Sequence, residues 1–294
     1  MPLTATCESR IDAAVGDGFL DWGTVDVLAR DALPALPGPL QDTTWQFARQ
    51  TKSNPLRVRL EQKDYHEKFL FYRGTGNFKL PVVATTTPAG VKVNNTDSAL
   101  AMHSAFLLNV TPNGAGFTAL GDLPPGATAP SSKIPAPSMQ HMNFSEALGK
   151  ALVEALVADG LFDDEAHAMV QTWRRSYFLT PGVRLLYLLP QSHTERIIPL
   201  TVAPAPDRMH RTMLIRVELT TPALEQQIDG ALKRLATPTT HGAARLLLLA
   251  HGRFAEPYLS GALDRVIDVA QKAVGGKLLA EVRAKRRWRA ASAE

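Results

Sequence analysis

The sequence predicts an α+β fold: an antiparallel β-sandwich, followed by a mixed α/β unit and a C-terminal helical segment. Three observations carry that expectation. Residues 56–123 contain short runs of strand period, separated by turn signals about every 8–12 residues. Residues 124–138 then hold Pro124, Pro125, Pro130, Pro135 and Pro137 among small residues, a composition that allows neither a helix nor a central strand. From Asn143 onward, helical spacing of apolar residues alternates with apolar strands. The expected divisions are a lead-in (1–55), the sandwich (56–123), a Pro-rich linker (124–142), the α/β unit (143–222) and the helical segment (223–294).

In the lead-in, Pro34, Pro37 and Pro39 exclude one long element, and the expectation is an irregular stretch packed on the sandwich. Leu56, Val58 and Leu60 alternate with Arg57 and Arg59, as a half-buried strand requires. Glu67–Tyr72 is aromatic-rich and closes on Arg73-Gly74-Thr75-Gly76-Asn77, where glycine permits positive φ. Further strands are expected over Pro81–Thr87, Val91–Asn94, Ser104–Val110 and Gly116–Leu120.

Asn143 and Glu146 stand at capping-box spacing, and Leu148, Leu152, Ala155 and Leu156 come next at helical intervals until Asp159-Gly160 stops the helix. Asp163 caps a second helix whose face is Ala166, Met169, Val170 and Trp173, with Arg174 and Arg175 at its negative end. Val183–Leu189 is almost wholly apolar, the pattern of a strand covered on both faces. Pro190, Pro199, Pro204 and Pro206 leave room only for short pieces such as Leu200–Ala203. Met209–Leu219 alternates and predicts a strand with one wet face. Thr221 and Pro222 form an N-cap and N1 pair for a helix through Leu235. Helices about residues 243–250 and 257–273 and a basic terminal helix complete the chain.

The single cysteine, Cys7, excludes an intramolecular disulfide, and the eight histidines form no HxH or HxxxH pair, so no metal site is expected. No cofactor motif is present. Residues 277–294 carry six Lys and Arg against two Glu, so the whole formal charge of +4 resides there and the body is neutral. Nucleic acid or a membrane surface is therefore expected only as a partner of this tail, through Lys285, Arg286, Arg287 and Arg289; a protein partner is the other expectation. No apolar run approaches the roughly 20 residues of a membrane span. The first 25 residues lack the apolar core of a signal peptide, which predicts a cytoplasmic protein, or an extracytoplasmic one if a leader was removed.

Candidate chemistry is sparse. His66 and Glu67 could supply a general base and its orienting carboxylate, but neighbours on a strand point to opposite faces, so a polar strand edge is the plainer account. Arg73, Arg184, Arg211, Arg216 and Glu218 could converge on an anion or a carboxylate, and cross-strand pairing accounts for them equally well. Gly74-Thr75-Gly76 lacks the ending of a phosphate loop. Trp173 and Tyr187 are expected as core anchors.

The run Glu67-Lys68-Phe69-Leu70-Phe71-Tyr72-Arg73-Gly74, with Gly76, Phe78 and Leu80-Pro81, resembles a signature of large uncharacterised bacterial proteins, many of them extracytoplasmic. The pattern continues through Gly160-Leu161, Asp164-Glu165-Ala166, Met169-Val170, Thr172-Trp173-Arg174, Ser176, Phe178, Arg184-Leu185, Tyr187, Pro190 and Arg216-Val217-Glu218-Leu219. The resemblance implies a sandwich joined to an α/β unit and brings no established activity with it. Relative to that pattern, the chain is expected to lack a leader and an upstream β-rich segment.

The function expected from the sequence is a non-catalytic binding or assembly protein. The alternatives are a hydrolase-like enzyme with its site between sandwich and α/β unit, using His66, Glu67 and the arginines Arg184, Arg211 and Arg216, and attachment to an anionic surface or nucleic acid through the basic tail.

Overall fold

The computed structural model describes residues 2–9, 18–32, 46–72, 78–87 and 89–291. In chain order the elements are β1 (Pro2–Ser9), β2 (Gly18–Val27), α1 (Gln46–Arg49), β3 (Leu56–Leu60), β4 (Lys63–Glu67), β5 (Val82–Thr87), β6 (Gly90–Asn95), β7 (Met102–Thr111) and β8 (Gly114–Leu123). Next come α2 (His141–Asp159), α3 (Asp163–Phe178), β9 (Gly182–Leu189), α4 (Gln191–Ile197), β10 (Leu200–Ala203), β11 (Met213–Leu219), α5 (Pro222–Leu235), α6 (His241–Leu249), α7 (Ala255–Arg265) and α8 (Val269–Ala291). The fold is α+β with antiparallel pairing and a helical C-terminal segment. Two compact units form, one from residues 1–85 and 91–217, the other from residues 86–90 and 218–294.

The first unit holds a sheet of order β10-β1-β2-β3-β4. The lead-in thus contributes β1 and β2, which pair antiparallel across a register shift between Thr4 and Thr6. Expected as irregular, this stretch gives few signals because the apolar residues of its strands are interrupted by Gly, Asp and Thr and do not alternate cleanly. β3 and β4 form a tight hairpin through Glu61 and Gln62, both at positive φ, as a two-residue primed turn demands. Pairing ends at Leu56↔Glu67, where β3 begins after Pro55, so the aromatic run 68–72 lies beyond the strand.

The second sheet has the order β11-β9-β7-β8. Its β7 pairs with β8 on one side and with β9 on the other, joining strands that precede the Pro-rich stretch to one that comes after it. The Pro-rich stretch itself is extended, and it lies on the strands. Bridges link Val91 to Ser132, Asn94 to Thr128 and Ala115 to Met139, and Asn109 Nδ2 donates to the Pro135 carbonyl at 2.9 Å. Gly114 and Gly116 permit this approach, since a Cβ at either would strike the Pro137 or Ala136 carbonyl. Its prolines hold the backbone extended while the other residues supply the pairing groups.

The Ala115–Met139 bridge also sets where α2 starts. The helix begins at His141, whose Nε2 lies 2.8 Å from the Thr111 carbonyl, and Asn143 falls inside its first turn. On α3, Asp163 is the first helical residue, and the Glu165 carboxylate accepts from the Phe162 N–H at 3.2 Å. Phe144, Leu148, Leu152 and Leu156 of α2 and Ala166, Val170 and Phe178 of α3 pack on Phe106, Leu108, Leu186 and Leu188 of the sheet. Each of the larger buried side chains here, Ala166 aside, stabilises the fold by about 1.5–3 kcal/mol. Every residue from Val183 to Leu189 is buried, so β9 is covered on both faces, as its composition predicts.

In the second unit, Thr221 accepts from the Leu224 N–H at 3.2 Å and Pro222 opens α5. Ile228, Leu232, Leu248, Leu259, Leu263 and Leu278 form a helical core. α8 comes close to its neighbours at Gly275, where a Cβ would meet Leu263 and Leu232 side-chain carbons at 2.7 and 2.8 Å. Arg265–Asp229, Arg245–Glu281 and Arg283–Glu256 tie helices together at the surface, each contributing at most about 1 kcal/mol. No helix among the described residues is long and apolar enough to cross a membrane.

One buried group tests this packing. Tyr187 has no exposed surface, its hydroxyl finds no hydrogen-bond partner among the described residues, and burial pushes its phenol pKa up. A buried unsatisfied hydroxyl costs about 1–3 kcal/mol. Tyr187→Phe is therefore expected to leave the urea unfolding free energy unchanged or to raise it by about 1 kcal/mol; a clear loss of stability would contradict the packing described.

Candidate functional site

One side of α3 serves both the core and a cleft. Ala166, Val170 and Phe178 face the core, while Met169, Trp173 and Tyr177, spaced by four residues, line an open cleft of 440 Å³. The Trp173 and Tyr177 rings lie 5.5 Å apart at 37°, and Trp173 remains 38% exposed. The expectation of Trp173 as a core anchor gives way to a ring at the cleft surface. The other walls come from Tyr72 after β4, Leu161 after α2, Thr194 of α4, and the segment His210–Leu214 leading into β11. All of these residues belong to the first unit.

A polar triangle stands at the His210 side. Thr212 Oγ1 donates to Asp159 Oδ2 at 2.6 Å, and His210 Nε2 lies 3.0 Å from Thr212 Oγ1 and 3.4 Å from Asp159 Oδ2. Asp159 ends α2, about fifty residues before His210 and Thr212, and the three groups meet where α2 stops beside the entry to β11. Gly160 makes room for the imidazole. Its φ is +126°, and a Cβ there would sit 2.8 Å from His210 Cε1 and 3.0 Å from both ring nitrogens. The glycine that stops the helix also seats the histidine.

The predicted arginines take other roles. Arg184 is fully buried; Nη1 donates to the Tyr177 carbonyl at 2.6 Å and Nη2 to that of Thr180. Arg216 donates to the Ser176 carbonyl, and its guanidinium lies 5.3 Å from the centre of the Tyr177 ring. Both thus satisfy carbonyls at the negative end of α3. Arg211 does line the cleft, but its Nη1 donates to Glu195 Oε2 at 2.8 Å and to the Ile198 carbonyl at 2.6 Å. Its charge is matched in place.

Glu67 pairs with Arg49 through both carboxylate oxygens, and His66 stands half-buried opposite Arg57 in the β3–β4 register. Glu218 lies on β11, where its charge acts on His251. Arg73 lies outside the described residues. Lys285, Arg286, Arg287 and Arg289 fall on α8, with their side chains outside the described part. A second cleft, of 340 Å³, lies along Phe47, Gln50 and the first turns of α3, where the Lys52 N–H occupies Asp164 Oδ2 and holds that carboxyl below the usual range. Among the described residues no group of three or more His, Cys, Asp or Glu is placed to hold a metal ion.

Compared with protein families, curated proteins and solved structures, the chain matches none.

Two histidines away from the cleft set a pH dependence. Burial, with Arg196 nearby, lowers the pKa of His193 against the opposing pull of Asp97. Burial likewise lowers that of His251, partly offset by Glu218. Folded values below the ordinary 6.5 mean that the unfolded chain takes up these protons first as pH falls. Their stabilisation is present above about pH 6.5 and is lost as pH drops through the lower folded values. Melting temperature is expected to fall from about pH 7 to pH 5, and His193→Gln with His251→Gln to flatten that slope. Equal slopes in the variant and the parent chain would show that the two rings carry no such linkage.

Proposed function

We propose that the chain is a binding protein whose aromatic cleft takes a small, uncharged ligand by a flat apolar face. One observation carries this: Trp173, tilted against the Tyr177 ring, stays 38% exposed over a cleft of 440 Å³. A large aromatic ring left half-open to water forfeits burial that the core would otherwise provide, and a ligand restores it. The volume falls within the range of about 300–1,000 Å³ usual for small-molecule sites.

Charge selects the ligand class. Arg211 is matched by Glu195, and the Asp159 carboxylate accepts a hydrogen bond from the Thr212 hydroxyl and lies beside His210. An anionic ligand entering here would give up hydration without finding an unmatched positive charge, and a cationic one would meet a carboxylate oxygen that already accepts from Thr212.

A panel of uncharged ring compounds and matched carboxylates, phosphates and ammonium compounds, screened by ligand-observed NMR, tests the proposal. Binders are expected in the uncharged set, with affinity about tenfold weaker or worse in Trp173→Ala. Equal binding to Trp173→Ala, or a preference for a charged series, would overturn it.

A further inference from the structure

We infer that His210 Nδ1 is the polar recognition group of this cleft, accepting a hydrogen bond from an N–H or O–H on the edge of an uncharged ring ligand. The inference rests on the binding function proposed above and names its ligand class.

Proton counting gives the tautomer. A threonine hydroxyl has one proton, and at 2.6 Å that of Thr212 goes to the Asp159 carboxylate, which has none to give. Thr212 Oγ1 can then only accept from His210, whose Nε2 lies 3.0 Å away. Asp159 Oδ2, 3.4 Å from the same nitrogen, reinforces an N–H there. With Nε2 carrying the proton, Nδ1 of the neutral ring is an acceptor. No side chain of the triangle reaches Nδ1, and His210 lines the cleft that also contains Trp173 and Tyr177.

Gly160 fixes the placement. Its absent side chain is what allows the face of the ring at Cε1 to lie against the backbone turn that ends α2. The ring is thus held on one side by Asp159 and Thr212 and on another by Gly160. The Arg211 charge, matched by Glu195, does not compete for the same ligand atom. Aromatic walls with an acceptor at their edge suit a flat ring bearing a donor, such as a phenol, a lactam or a nucleobase. A ring of the same shape whose donor is blocked by a methyl group lacks the matching proton.

Substitutions separate the two nitrogens. Asparagine places an amide atom near the Nδ1 position, and its oxygen can accept there; glutamine places one near Nε2 and keeps the contact with Thr212 and Asp159.

The test uses the whole chain and the pair 2-naphthol and 2-methoxynaphthalene, titrated by saturation-transfer NMR, with long-range ¹H–¹⁵N spectra of the free protein for the His210 tautomer. The expected results are an Nε2–H tautomer, naphthol binding about fivefold to tenfold tighter than its methyl ether, retention of that preference in His210→Asn and its loss in His210→Gln. Equal binding of the two probes, or an Nδ1–H tautomer in the free protein, overturns the role of His210 while leaving the cleft as a binding site. Binding of neither probe overturns the cleft as a site for flat neutral rings, and the role of His210 with it. The tautomer and the probe pair are read on the unsubstituted chain, so the outcome stands even if a variant fails to fold.

Discussion

A guanidinium with no exposed surface joins α3 to the strand after it. Arg184 sits on β9, a strand otherwise built of apolar residues, and donates to the Tyr177 and Thr180 carbonyls. A charge in such a place is tolerable only when its donors are used, because removing an ion from water costs several kcal/mol even after relaxation. The end of a helix offers what it needs: carbonyls without intrahelical partners, at the negative pole of the dipole. Each side resolves part of the other's deficit. The helix must therefore end where Arg184 can reach it, and the chain must turn at Gly182 to bring β9 back under it.

That constraint places the cleft. Tyr177, whose carbonyl Arg184 holds, sends its ring the other way, toward Trp173 and under the Arg216 guanidinium. Arg174 Nε donates to Ser145 Oγ and binds the same helix to α2. With α3 fixed at its end and along its length, its aromatic face is a rigid wall. The facing wall is fixed independently by Gly160, where the end of α2 and the entry to β11 meet through Asp159, His210 and Thr212. A site built on helix ends locked by packing and charge is pre-organised, and so a ligand loses less in ordering it.

Much of this order is legible in the sequence, and the illegible parts have physical causes. The β9 run, the Thr221-Pro222 cap and the β3 strand are local patterns, and the structure forms these elements where they stand, although burial in β3 does not alternate and Leu60 is exposed. Sheet partners are another matter: β7 meets β9 across some eighty residues, and nothing in either run specifies the other. Helical periodicity puts Trp173 on the same side as Ala166 and Val170. It tells which side a residue occupies, and not whether anything covers that side. Gly160 reads as a helix stop, which it is, while its second role depends on a histidine fifty positions away. The arginines attract notice as a cluster of charge, yet three of them are bound to carbonyls or carboxylates of their own neighbourhood. A spacing rule sees charge and cannot see that it is already matched.

Buried Arg184, then, fixes the end of α3 and thereby the aromatic wall of the cleft. The most direct measurement of this is ¹⁹F NMR of 5-fluorotryptophan-labelled chain carrying Arg184→Lys, with the Trp173 resonance assigned by Trp173→Phe. A lysine retains the charge and loses the fork that spans two carbonyls. The expected result is a Trp173 resonance that shifts or splits, together with a loss of about 2 kcal/mol or more in unfolding free energy. A folded Arg184→Lys chain with an unmoved Trp173 resonance and undiminished stability would contradict that role for Arg184.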